Sequence, residues 1–203
     1  MPNKHLEHPE DTVLLSRRKC YQVVCTLMQE NIPLGIKWDG APAIVFGTDP
    51  RNNKFFVGTK SVFNKKRVKI CYSYEDIDEN YKGELADILR LCFRNLPRIG
   101  GIVQGDYIGV SGGTRYTPNT LEYIFSTATS GNIVFAPHTC YTEVSPDAVP
   151  TFGCVLSGET GTHMVGPNEG SAFIQKNKKR FNWAKFIYNL SLIHISEPTR
   201  REG

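Results

Sequence analysis

The stretch Ile36-Lys37-Trp38-Asp39-Gly40-Ala41-Pro42-Ala43-Ile44-Val45-Phe46-Gly47 constrains the fold of this chain more than any other. Trp38-Asp39-Gly40 predicts a turn, because glycine tolerates positive φ and aspartate can bond its own backbone. Ala43 to Phe46 is a short apolar run closed by Gly47, the pattern of a buried strand. Lys37 then stands at a strand edge, facing whatever cleft lies above it. By position alone it reads as a solvated surface lysine.

Elements on either side predict a fold around that strand. Asp11 or Thr12 can cap a helix running to about Glu30, with Val13, Tyr21, Val24, Leu27 and Met28 as its apolar stripe. Asn31-Ile32-Pro33 ends it. After the strand, residues 48–53 are dense in turn formers, and 54–60 reads as the returning strand of a hairpin. Ser61 to Lys69 gathers positive charge without an acidic residue, a solvated face or a phosphate-binding rim. Residues 73–80 predict a short helix or turn with its acids early. A clearer helix spans 82–95, burying Leu85, Ile88, Leu89, Cys92, Phe93 and Leu96 until Pro97 and the glycines stop it. Strands follow at Ile102-Val103, 121–125 and 133–135. In the first, Gly105 permits close backbone approach and Asp106 comes next. Residues 111–119 read as a loop without the signature of a phosphate loop. The expected class is therefore α+β, an antiparallel sheet with flanking helices.

Bulk properties narrow the function. The 203 residues are 40% hydrophobic, enough for one core. A net charge of +4 suits an anionic partner without demanding one. The six cysteines form no Cys-x-x-Cys pair, which argues against zinc and for free thiols in a reducing compartment. No apolar run approaches membrane-spanning length, and the polar start shows no secretory signal. His5 and His8 in a polar leader read as solvated.

Lys37-Trp38-Asp39-Gly40 resembles the nucleophile motif of the covalent nucleotidyltransferases, the ATP-dependent DNA ligases, RNA ligases and mRNA capping enzymes. The longer string to Ala43 is similar to a family of ligase-like proteins of tailed bacteriophages, as is His5-Leu6-Glu7-His8. The likeness covers about residues 5 to 150. It implies a ligase-type adenylation domain in which Lys37 attacks the α-phosphate of ATP, with Mg2+, to form lysyl-AMP. Ile36, Trp38, Asp39 and Gly40 would line the nucleotide, and Lys60 matches a basic residue that contacts phosphate. Gly105-Asp106 resembles the ligase Gly-Glu pair, whose carboxylate contacts ribose or a metal-bound water. Tyr123 or Phe125 would stack on the purine. Glu169-Gly170 resembles a metal-site motif, pairing Glu169 with Asp106 as candidate metal ligands. His138 has only a weak claim to catalysis.

The implied partner is nucleic acid, DNA or RNA ends or nicks, with no membrane, in the cytoplasm of a phage-infected host, and with a monomer as the expected form. Departures from the pattern qualify this. Lys176 and Lys178 have the spacing of the late lysine motif but not its apolar strand, so the domain reads as incomplete at its C-terminal side. Ser191 to Arg200 resembles a translated sequencing adapter. The expected division is therefore 1–190, a partial adenylation domain, and 191–203, a non-native tail. Two other readings compete: a catalytically incomplete nucleotide- or nucleic-acid-binding module, and a phage assembly protein that keeps the fold.

Overall fold

The computed structural model describes residues 15–28, 36, 38–152, 156, 161–166 and 169–174. Lys37, the leader with His5 and His8, Lys176, Lys178 and the string from 191 onward lie outside these residues.

The apolar run after the turn forms strand β1, Ala43–Asp49. It pairs antiparallel with β2, Lys54–Gly58, in a hairpin that closes at Asp49 opposite Lys54. The turn between them needs one left-handed residue, supplied by Asn53 at φ 57°. A side-chain knot fixes it. Asp49 is fully buried and accepts from the Arg51 backbone N–H, from Arg51 Nε and Nη2, and from the Tyr72 hydroxyl. The Arg51 hydrogen bonds hold the Asp49 carboxyl well below its ordinary range, at about 2, against the opposing effect of burial.

On its other side β1 pairs with β3, Ile102–Val110, which pairs with β6, Ile133–Tyr141. The outer edge of β6 carries β7, Thr151–Phe152, antiparallel, and β8, Thr162–Met164, parallel. The principal sheet is thus six-stranded, in the order β2-β1-β3-β6-β7 with β8 beside β6. It is mixed rather than purely antiparallel. A second, three-stranded sheet holds β4, Arg115–Tyr116, β5, Leu121–Ile124, and β9, Ser171–Ile174, in the order β4-β5-β9. The segment 111–119, expected to be only a loop, therefore contributes a short strand.

Both faces of the principal sheet are buried. Ile44 and Phe46 point to one face with Val57, Val103 and Phe135, and Val45 points to the other with Phe56, Ile102 and Tyr141. Helix α1 is Arg17–Leu27, and two further helices, α2 at Tyr74–Asn80 and α3 at Gly83–Asn95, cover the first face. Ser73 and Asp76 close a reciprocal capping box at the start of α2, and the acids Glu75 and Asp76 sit in its first turn. Helix α3 buries Leu89 and Cys92 completely, with Leu85, Ile88 and Phe93 half-covered, against Ile77 of α2 and the sheet. Asn95, not expected in that face, is buried because it bridges Leu91 and Asn132.

Two expectations are corrected. Helix α1 starts at Arg17 with Ser16 as its cap, Oγ accepting the Lys19 N–H, while Asp11 and Thr12 lie outside the described residues. Of its expected apolar stripe, Tyr21, Val24 and Met28 are exposed, Tyr21 at 71% and Met28 at 78%. The second correction concerns the thiols. Cys20, Cys25, Cys71 and Cys92 are free, but Cys140 is disulfide-bonded. Scattered spacing hid this pairing, which depends on distance in space.

Candidate functional site

Residues 38–40 enter the fold at the seam between the two sheets. Trp38 is buried at 7% exposure, and its indole N–H donates to the Gly166 carbonyl at 2.8 Å. Its ring lies 4.6 Å from that of Tyr123 and stacks on Phe125 at 5.3 Å, 14° from parallel. Ile108, Tyr116, Val134, Ala136 and Val165 complete this apolar cluster, with Ile36 against it. The tryptophan is thus the peg that holds the motif to the second sheet.

Polar contacts fix the next two residues. The Asp39 N–H donates to the Tyr123 hydroxyl at 2.8 Å, and that hydroxyl donates to the Asp39 carbonyl at 3.1 Å. Asn119 Nδ2 donates to the Asp39 carbonyl at 2.5 Å and to Oδ2 at 2.9 Å. Burial pushes the Tyr123 hydroxyl pKa up, and the nearby Asp39 and Asp106 carboxylates add to that, so the phenol stays a donor. Tyr123 is fully buried and Phe125 is 7% exposed. Both rings pack against Trp38. A base would reach the Tyr123 ring only by displacing what surrounds it.

Gly40 meets β3. Its N–H donates to Asp106 Oδ2 at 3.3 Å. The flanking backbone continues the sheet, with the Ala41 N–H on the Tyr107 carbonyl and the Tyr107 N–H on the Pro42 carbonyl, both at 3.1 Å, across a cis Ala41-Pro42 bond. A Cβ on residue 40 would lie 2.3 Å from the Tyr107 carbonyl oxygen. Glycine is required here by this close approach, not by the positive φ that the sequence suggested. Gly105 is likewise a close-approach glycine, as expected: a Cβ there would lie 2.4 Å from the Ala136 carbonyl oxygen.

Asp106 stands opposite Ala43, its side chain 11% exposed. On the far side of its carboxylate, His138 Nε2 is 3.8 Å from Oδ1. His138 lies within β6 and not at its end. Two register shifts flank Asp106. Gln104 pairs with Thr139 but Gly105 with Pro137, leaving His138 as an extra residue, and Tyr107 pairs with Phe135 but Gly109 with Val134, leaving Ile108 extra. Such bulges re-aim side chains. Here one extra residue faces Asp106 and the other packs in the cluster around Trp38.

Lys60 opens a 3₁₀ turn, Lys60–Phe63, directly after β2, rather than ending a strand. Because Gly58 pairs with Val45, β2 leaves the sheet at the end where β1 enters it, so Lys60 departs on the same side as the 38–40 turn. The basic loop beyond is anchored by Lys69, whose Nζ donates to the Asn80 carbonyl at 2.9 Å and lies over the Tyr81 ring, while Lys65, Lys66 and Arg67 are exposed.

Glu169-Gly170 also reaches this region. Gly170 has φ 65°, and a Cβ on it would contact the Trp38 ring at 3.4 Å. Glu169 Oε2, however, faces His163 Nε2 at 3.6 Å, whereas Asp106 faces His138. Ser130 N–H donates to His163 Nδ1 at 3.4 Å, while the buried Nε2 has no hydrogen-bond partner among the described residues. Among the described residues no group of three His, Cys, Asp or Glu side chains is arranged to hold a metal ion.

Sequence reasoning missed Asn119 and His163. Nothing in their local sequence signals contact with Asp39 or Phe125, which come near only through the fold. No helix among the described residues is long and apolar enough to cross a membrane.

No curated protein and no solved structure matches the chain. A family model, described as a family of unknown function, DUF6267, matches residues 3–202, nearly the whole length. The chain belongs to that family.

Proposed function

We propose that this chain is a ligase-like nucleotidyltransferase that accepts AMP from ATP on Lys37 and passes it to a nucleic-acid end. The observation that carries the reading is the Gly40 N–H on Asp106 Oδ2. It joins the two motifs on which the ligase resemblance rests, though 66 residues separate them. The exit of β2 toward the same side, with Lys60 just beyond, adds a cation where phosphates would need one.

In this reading the neutral Lys37 amine attacks the α-phosphorus, and the bond to the pyrophosphate oxygen breaks with its electron pair leaving on pyrophosphate. The amine proton is lost to solvent. A divalent ion carried with the nucleotide would screen the phosphate charge. Asp106 would hold it through the lone pairs its carboxylate keeps beyond those facing Gly40 and His138. Tyr123, Asn119 and Trp38 hold the turn rather than the base. AMP would then move to a 5′-phosphate, and a 3′-hydroxyl would displace it. The deciding experiment is nucleotide-dependent covalent labelling at Lys37. Binding of ATP or of nicked duplex without labelling would favour the incomplete binding module, and neither would favour an assembly protein of a phage.

A further inference from the structure

The extra residue in β6 gives that strand a role at the site. His138 is the bulged position, and its Nε2 faces Asp106 Oδ1. Its Nδ1 lies 2.6 Å from the hydroxyl of Thr139, which is 2% exposed and so fixed in place. A carboxylate facing Nε2 favours the tautomer with its proton there, and Thr139 then donates to Nδ1. The Nε2 to Oδ1 distance of 3.8 Å is longer than a hydrogen bond. A side-chain shift of about 1 Å closes it, and contacts of this kind commonly tighten when substrate binds.

We propose that His138 is a positioning residue: it holds the Asp106 carboxylate in the orientation that receives the Gly40 amide, and so sets the Lys37 turn from β6. Asp106 has two oxygens and two neighbours, Gly40 on Oδ2 and His138 on Oδ1. Without His138 the carboxylate is free to rotate away from Gly40. Part of the test, the kinetic part, rests on the nucleotidyltransferase reading; the spectroscopic part does not.

The test compares His138→Gln, His138→Asn and His138→Leu in the full chain. Glutamine places an amide N–H near the Nε2 position, whereas asparagine reaches only the Nδ1 position, keeping Thr139 but not Asp106. The first readout is the Gly40 amide proton in 1H–15N spectra, which a carboxylate acceptor holds downfield. It should stay near the wild-type position in His138→Gln and move upfield in His138→Asn and His138→Leu. The second is lysyl-nucleotide formation from ATP. Asn and Leu should slow it about tenfold at saturating ATP with KM changed less than about twofold, and Gln should restore it. If His138→Leu fails to fold, the Gln and Asn pair decides alone. An unmoved Gly40 amide in Asn, or equal effects of Gln and Asn, overturns the positioning role whatever the labelling does. If the amide moves as expected while even the wild type takes up no label, the nucleotidyltransferase reading falls and the positioning role stands.

Discussion

Gly40 donates its backbone N–H to Asp106 Oδ2 at 3.3 Å, joining the turn that precedes β1 to the middle of β3. A neutral amide cannot replace that carboxylate equally, because bonds to a charged acceptor are the stronger kind. Asp106→Asn should leave the fold intact and weaken magnesium-dependent ATP binding about tenfold or more, since removing a charged contact costs about 1.5–3 kcal/mol. Titration calorimetry reads this. Unchanged affinity would return Asp106 to the class of ordinary strand carboxylates.

Tyr123 offers a second separation of roles. Its hydroxyl both accepts from and donates to Asp39, and its ring supports Trp38. Tyr123→Phe keeps the ring and deletes the hydroxyl, leaving a part-buried Asp39 N–H without its partner. Urea unfolding should show a loss of about 1–3 kcal/mol. Nucleotide affinity should fall with it, because the turn loosens. Wild-type affinity in that variant would mean the ring stacks on the base and the hydroxyl is incidental.

Asp49 predicts how stability depends on acid. Its folded pKa is about 2 against an ordinary 3.8. A depressed carboxyl pKa means that the stabilisation is fully present above about 3.8 and is lost as pH falls through 2. The contribution is at most about 2 kcal/mol, reduced by solvent screening because the Arg51 side chain is 56% exposed. Thermal midpoints measured from pH 5 down to pH 2 should therefore fall more steeply in the wild type than in Asp49→Asn, which has already lost the charge. Parallel curves would show that the Arg51 and Tyr72 contacts do not govern acid sensitivity.

Local patterns in the sequence located the elements whose signals are local. The turn-strand at 38–49, the hairpin return, the capped helix from Ser73 and the face of α3 all follow from residue spacing within one segment. The close approach at Gly105 was legible for the same reason. Pairing between distant segments was not legible. The parallel β6–β8 contact, the second sheet and the Asn119 contact to Asp39 join residues far apart in sequence, and no period or motif encodes them. Tyr123 shows the limit well. An aromatic in a strand reads the same whether its ring meets a ligand or a tryptophan, and only the position of Trp38 tells them apart.

Lys37 as the nucleotide acceptor is the centre of this account. The most direct measurement incubates the protein with α-labelled or γ-labelled ATP and magnesium, in wild type and in Lys37→Arg. Arginine keeps the charge but stays protonated, so it cannot act as the nucleophile. Wild type should retain the α label and not the γ label. Its adduct should be lost in acid and kept in base, as a phosphoramidate is, and should form faster as pH rises and frees the amine. Lys37→Arg should bind ATP and never become labelled. An acid-labile adduct of the same yield on Lys37→Arg would place the nucleophile elsewhere and contradict the account.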